Sequence, residues 1–439
     1  MAMGSTVSLH VAPRDAAFEP VDVPAAPNRA KSHEKGITQR LEAGHVPALD
    51  GVRGLAIFLV LLFHFVVIGG NTPTVRIIQK TWGFGWAGVD LFFVLSGFLI
   101  TRILLDAKKR QATAGGYFKN FYARRTVRIF PLYYAFLLLF LIILPRTVPG
   151  FAQLFGTPPG SQWIYWTYTY NLFQGHHNPA TFSHSVGVIW SLCIEEQFYL
   201  IWPTVVWFSK PKTLLKVCAG LLVMSMGARL IVSMVSGYEV YISQWSFCRM
   251  DPLAIGAALA ILTRIDPDLI QRVRRPARHL IWLVPIAILG MNVVFGSLTK
   301  STVFHIVGYS ALAILFGSVL LMTITAPAGA FITRFFSNSL LRLFGRLSYA
   351  MYLVNQPIKY ALLRYVYGFE DPGNAQMTSV SAQMIFFVFA AVLTVAVAWL
   401  SWHLFEKHFL RLKKFFPMTR PAPEGQRDPL AASPIVLPP

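Results

Sequence analysis

Charge is what this sequence has least of. Only 13% of its 439 residues are charged, where an ordinary soluble domain carries about 25%. Acidic residues are the scarcer sign, 19 against 39 lysines and arginines. Cysteine is nearly absent. Cys193, Cys218 and Cys248 all lie in or beside apolar runs, so no disulfide framework or metal-ligand spacing emerges. The first 45 residues are polar and rich in Pro and Ala. They have no apolar core, so no cleavable signal peptide is expected there. No segment repeats at a fixed offset, as it often does in secondary transporters. Ser191 lacks a surrounding G-x-S-x-G elbow, which argues against a serine nucleophile.

What the sequence has in quantity is apolar length. Hydrophobic residues make up 55%, mean hydropathy is +0.52, and many runs reach the ~20 residues that cross a bilayer. The expectation is an all-α polytopic membrane bundle of about ten spans, at 51–70, 84–105, 127–145, 188–208, 214–235, 243–263, 279–296, 303–325, 343–365 and 383–405. Residues 1–45 and 411–439 are expected to be disordered cytoplasmic tails, leaving 46–410 as the membrane domain.

The net charge of +20 belongs to the segments between spans, where it sets topology, and no nucleic-acid partner is expected. With both termini inside, the outer side holds only Arg76, Lys80, Arg146 and Lys300, plus Lys359 and Arg364 near a helix end. The inner side holds the rest, apart from Arg53, Arg229 and Arg249 within spans. The aromatic segment "WIYWTYTYNLF", 163–173, suits an interfacial or re-entrant piece. Counting it as a span would put the arginines of 264–278 outside, against the positive-inside rule. His176, His177 and His184 follow nearby on the outer side.

Ionisable residues inside spans are costly and mark function or pairing. In "LDGVRGLAIFLVLLFHF", 49–65, Arg53 and His64 are eleven residues apart, which puts them on one helix face about 16 Å apart along the axis. Arg53 lies near the cytoplasmic end and His64 past mid-depth. Snorkelling to headgroups is the alternative for Arg53, and bonding to a neighbouring helix is the alternative for His64. Asp90, in "WAGVDLFFVLSGFLITRILL", 86–105, lies toward the outer half of the adjacent span and is expected to orient His64. Ser96 and Gly97 permit close helix approach there.

In "YARRTVRIFPLYY", 122–134, Arg125 and Arg128 share a face and suit a phosphorylated ligand. Contact with anionic lipid is the alternative. Glu195 and Glu196, in "HSVGVIWSLCIEEQFYLIWP", 184–203, point about 100° apart, so they are not expected to face one partner. "FCRMDPLAIGAALA", 247–260, brings Arg249 and Asp251. "GRLSYAMYLVNQP", 345–357, brings Ser348, Tyr352 and Asn355 as candidate substrate-binding residues.

Taken together and in this order, ending near "FEKHF", these motifs resemble the acyltransferase family 3 membrane proteins of bacteria over about residues 46–410. The Arg53-x10-His64 spacing is the hallmark of the likeness. The resemblance implies transfer of acyl groups, often acetyl, from cytosolic acyl-coenzyme A to hydroxyls of surface or exported sugars, lipid-linked glycans, peptidoglycan or macrolides. It implies His64 as the catalytic histidine, Glu196 as a further functional acid, and Arg53, Arg125 and Arg128 as contacts to the acyl donor. The lipid bilayer of the plasma membrane is the expected location. No bound cofactor or metal is expected, and acyl-coenzyme A serves as co-substrate. Some relatives carry an appended extracytoplasmic hydrolase-like domain, which is not expected here because the chain ends soon after its last span. One position departs from the family. Relatives often have a histidine where this chain has Asn355, which can hydrogen-bond but cannot shuttle a proton near neutral pH. A transporter or proton-coupled carrier, and a non-catalytic envelope-assembly partner, are the rival readings.

Overall fold

Short polar side chains and prolines set the helix starts. Thr72, Thr113, Asn338 and Ser379 each accept a hydrogen bond from a backbone N–H in the first turn that follows, filling an otherwise orphaned donor. Pro47, Pro73, Pro211 and Pro267 stand first in their helices, where a missing N–H costs nothing. The computed structural model describes residues 46–417 apart from 112, 153–156, 158, 174–185, 236–238, 266, 296–300 and 328. The expected N-terminal tail, the chain beyond 417, and His176, His177 and His184 lie outside the described residues.

The described chain is helical, with no strand among the described residues. Its longer helices are α1 (Pro47–His64), α2 (Pro73–Gly83), α3 (Gly88–Arg110), α4 (Ala114–Leu137), α5 (Ile189–Phe208), α6 (Pro211–Val235), α7 (Asp251–Ile265), α8 (Pro267–Phe295), α9 (Tyr309–Thr325), α10 (Ser339–Ala361) and α11 (Val380–Ser401). A π-helical turn extends α4, α10 and α11 at their ends and leads into α9.

Among the described residues, six stretches are long and apolar enough to cross a membrane: Pro47–His64, Pro73–Arg110, Ala114–Thr147, Pro211–Val235, Phe304–Thr325 and Val380–Phe415. The other four expected spans are present as helices α5, α7, α8 and α10. α7 has only 15 residues, and the other three carry more polar side chains. The stretch 163–173 is not a long helix but two single turns, Trp163–Trp166 and Tyr170–Phe173. Its Tyr165, Tyr168 and Tyr170 are buried, and Tyr133 of α4 donates to the Tyr165 carbonyl at 2.7 Å. Arg411–Phe415 forms a 3-10 turn, and Arg124 donates to the carbonyls of Lys413 and Phe416.

Two glycine crossings place the polar residues. A Cβ on Gly54 of α1 would overlap the Leu341 carbonyl, and one on Gly345 of α10 would overlap the Asp50 carbonyl. α1 and α10 thus touch backbone to backbone. Ten residues beyond Gly54 lies His64, and ten beyond Gly345 lies Asn355, so the two side chains meet about 15 Å from the crossing. α3 and α7 cross in the same way. A Cβ on Gly97 would overlap the Leu253 carbonyl, and one on Gly256 the Val94 carbonyl. Seven residues before each glycine stand Asp90 and Arg249, which also meet.

Close approach of this kind tolerates no side chain. Gly345→Ala is expected to lower stability by about 1–3 kcal/mol, the usual penalty of overpacking. Gly227→Ala in α6, where an added Cβ meets nothing, is expected to be neutral or stabilising by up to about 1 kcal/mol. Thermal unfolding of the purified protein in detergent checks both.

Candidate active site

Among the described residues, two cavities border the polar side chains named above. The first, about 100 Å³, is bordered by Arg53 of α1, Arg125 and Arg128 of α4, Glu195 and Glu196 of α5, and Ser348 and Tyr352 of α10. The second, about 210 Å³, is bordered by His64, Trp86, Trp190, Gln244, Arg249, Tyr309 and Tyr352. Val89 and Tyr352 border both. Tyr352 is held in this partition by a 2.6 Å hydrogen bond with Ser191 and by donating to the Val188 carbonyl at 3.1 Å.

In the first cavity three guanidiniums converge on two carboxylates. The Ser96 hydroxyl donates to Glu195 at 2.6 Å, and the Arg125 guanidinium lies over the Tyr199 ring, 4.4 Å from its centre. Arg53 Nη1 sits 3.5 Å from Asp50 Oδ1. Among the described residues neither Arg125 nor Arg128 forms an ion pair. Cation–aromatic contact leaves the N–H edge of Arg125 available, so the cavity suits an anionic group. The consecutive glutamates, expected to face different partners, border this cavity together, because it wraps around α5.

His64 takes its orientation from Asn355. Its Nδ1 lies 2.5 Å from Asn355 Oδ1. The Asn355 amide nitrogen donates to the Met351 and Tyr352 carbonyls at 3.1 and 2.7 Å, which fixes the oxygen toward the histidine. A carbonyl oxygen only accepts, so Nδ1 carries a proton, and in the neutral imidazole Nε2 keeps the lone pair. The chain just past His64 is fastened too. Gln383 of α11 donates to the Phe65 carbonyl at 2.8 Å and accepts from the Val67 N–H at 2.9 Å.

Asp90 does not orient His64. Its Oδ1 accepts from Arg249 Nη2 at 2.7 Å, because the α3–α7 crossing brings those two residues into register. Arg53 borders the first cavity and His64 the second. The site residues least visible beforehand are Gln383 and Glu195. Gln383 sits in an ordinary span start and carries no signal in one sequence. Glu195 was visible as a charge in an apolar run, but its partner Ser96 lies on another helix.

A sequence profile for an acyltransferase domain, that of acyltransferase family 3, matches residues 46–403. The chain belongs to this family. Its similarity extends to curated members of the acyltransferase class. Peptidoglycan O-acetyltransferase OatA of Listeria monocytogenes is 29% identical over 73% of this chain and 50% of its own length. O-acetyltransferase OatA of Staphylococcus aureus is 25% identical over 72% and 50%. Putative peptidoglycan O-acetyltransferase YrhL of Bacillus subtilis is 27% identical over 83% and 54%. The chain thus spans about half the length of these relatives. No solved structure matches it.

In this acyltransferase family member, Asn355→Leu removes the acceptor of the Nδ1 proton. The stranded buried donor is expected to lower stability by about 1–3 kcal/mol, whereas Asn355→Asp, which keeps an acceptor oxygen, is expected to lose less. Unfolding midpoints of the two variants, compared side by side, check this.

Proposed function

We propose that the chain is a multi-pass O-acyltransferase of the bacterial plasma membrane. It moves an acetyl or other short acyl group from cytosolic acyl-coenzyme A to a hydroxyl of a glycan. About ten helices cross the bilayer with both termini cytoplasmic, as the positive-inside bias requires. The observation that carries the reading is His64, with Nδ1 held by Asn355 and Nε2 unprotonated, in a cavity that shares Tyr352 with the three-arginine cavity. The activity for which these relatives are named, peptidoglycan O-acetylation, supports a glycan acceptor.

The donor is an anion and a thioester joined by a thin arm. Its phosphates dock on Arg125, Arg128 and Arg53, whose charge Glu195 and Glu196 partly balance while the site is empty. Bidentate arginine contacts suit phosphate oxygens. Ser348 borders the arm, and Tyr352 borders the acyl end where the two cavities meet. In the second cavity the acceptor hydroxyl gives its proton to His64 Nε2 as its oxygen attacks the thioester carbonyl. Asn355, which stands where relatives often have a histidine, keeps the imidazole in the required tautomer. Asp90 acts through Arg249 and not through His64. No bound cofactor takes part.

His64→Ala is expected to lower turnover by about 10²–10⁴, the usual contribution of a general base, in a protein that still inserts and purifies. Thiol release from acetyl-coenzyme A with chitotriose as acceptor measures it, and an unaltered rate sinks the assignment. Arg125→Ala is expected to raise the donor KM by about 10- to 100-fold, the worth of a lost charge-assisted bond, with kcat changed far less. An unchanged KM rules out the docking site.

A further inference from the structure

Arg229 and Arg249 are both fully buried, and only Arg249 borders the second cavity. Arg229 Nη1 and Nη2 bond Asp251, Ser310 and the Cys248 and Ile306 carbonyls at 2.6–3.2 Å. That is a structural brace for α6, α7 and α9. Arg249 is 1% exposed, yet among the described residues it makes one side-chain hydrogen bond, from Nη2 to Asp90. Its Nε and Nη1 have no partner. Its plane lies over the Tyr309 ring, 4.2 Å from the centre, so it is clamped from one side and one edge. The same cavity holds one more unmatched atom, the Oε1 acceptor of Gln244.

Leaving a buried donor unpaired costs about 1–3 kcal/mol, and buried polar groups are nearly always satisfied. Arg249, with two spare donors, and Gln244, with one spare acceptor, both border the cavity that His64 borders, and such a set matches a carbonyl oxygen and a hydroxyl. We infer that Arg249 is a catalytic residue whose Nε and Nη1 hold the acyl carbonyl oxygen as it becomes an oxyanion, while Gln244 accepts from an acceptor hydroxyl. The inference rests on the proposed transfer at His64. The acceptor oxygen bonds the acyl carbon, its proton passes to His64 Nε2, and the carbonyl pair moves onto the oxygen beneath Arg249. Collapse restores the C=O bond, breaks the C–S bond and returns the proton from His64 to the thiolate. The products are an ester and free coenzyme A thiol. Asp90 is then a positioning residue that holds the guanidinium in place.

Arg249→Lys keeps a charge for Asp90 but loses the fork. With acetyl-coenzyme A and chitotriose as probes, kcat is expected to fall about 10²–10³, the loss seen when an oxyanion donor is removed. Both KM values should change far less than kcat, because the contact strengthens as negative charge builds on the oxygen. Difference infrared spectra of acetyl-coenzyme A labelled with ¹³C at the carbonyl give a second readout. The bound carbonyl band should shift to lower frequency in the wild type and in His64→Ala, and should lose that shift in Arg249→Lys. An Arg249→Lys protein with near-wild-type kcat and carbonyl band, beside an inactive His64→Ala, overturns the inference and leaves the proposed transfer standing. A wild type that neither releases thiol nor shifts the band overturns both. Should the lysine variant fail to fold, Asp90→Asn/Arg249→Gln supplies a neutral pair. Recovery of wild-type kcat in that protein overturns the inference, and its loss in a folded protein upholds it.

Discussion

Everything polar in this bundle depends on helices that touch at their backbones. At the α1–α10 crossing, Gly54 and Gly345 each meet a carbonyl where any Cβ would overlap. Such a contact allows almost no sliding, because a shift of one residue would drive a side chain into the opposing backbone. Equal steps from the two glycines then bring His64 and Asn355 together. The α3–α7 crossing repeats the arrangement with Gly97 and Gly256 and brings Asp90 to Arg249. Small residues that look like gaps in the hydrophobic pattern are thus the register marks of the charged and hydrogen-bonded pairs.

The division into two cavities follows from how unlike charges are handled in an apolar surround. Charges buried without partners are expensive, and Arg229 and Asp251 meet that cost by bonding each other. The three arginines of the first cavity are instead gathered near Glu195 and Glu196 without direct pairing to them by Arg125 or Arg128. The second cavity has a neutral acceptor, Asn355, against its histidine. Between them Tyr352 presents a hydroxyl already engaged by Ser191, so the shared wall is a positioned ring.

The fold was legible in the sequence because lipid leaves few options. Long apolar runs must be helical to satisfy their backbones, and the described chain is helical, with six stretches long and apolar enough to cross a membrane. What the runs did not reveal is that α5 and α10 bury polar side chains against neighbours, Ser191 on the first and Ser348 and Asn355 on the second. The arginines of the first cavity were legible because charge in or beside an apolar run is conspicuous. The pairing of Asp90 was not. Depth in the membrane suggested His64 as its partner, and depth alone does not say which helix faces which.

The sequence by itself determined the helical class, the family, and the cast of ionisable residues, because each depends on composition and order along one chain. Only the tertiary structure decided the partners: Asn355 for His64, Arg249 for Asp90, and a cavity boundary between Arg53 and His64. Hydrogen bonds reach about 3 Å, while a single helical periodicity leaves the choice of neighbouring helix open. Contacts between helices distant in the chain settle that choice, and here backbone-contact glycines set it.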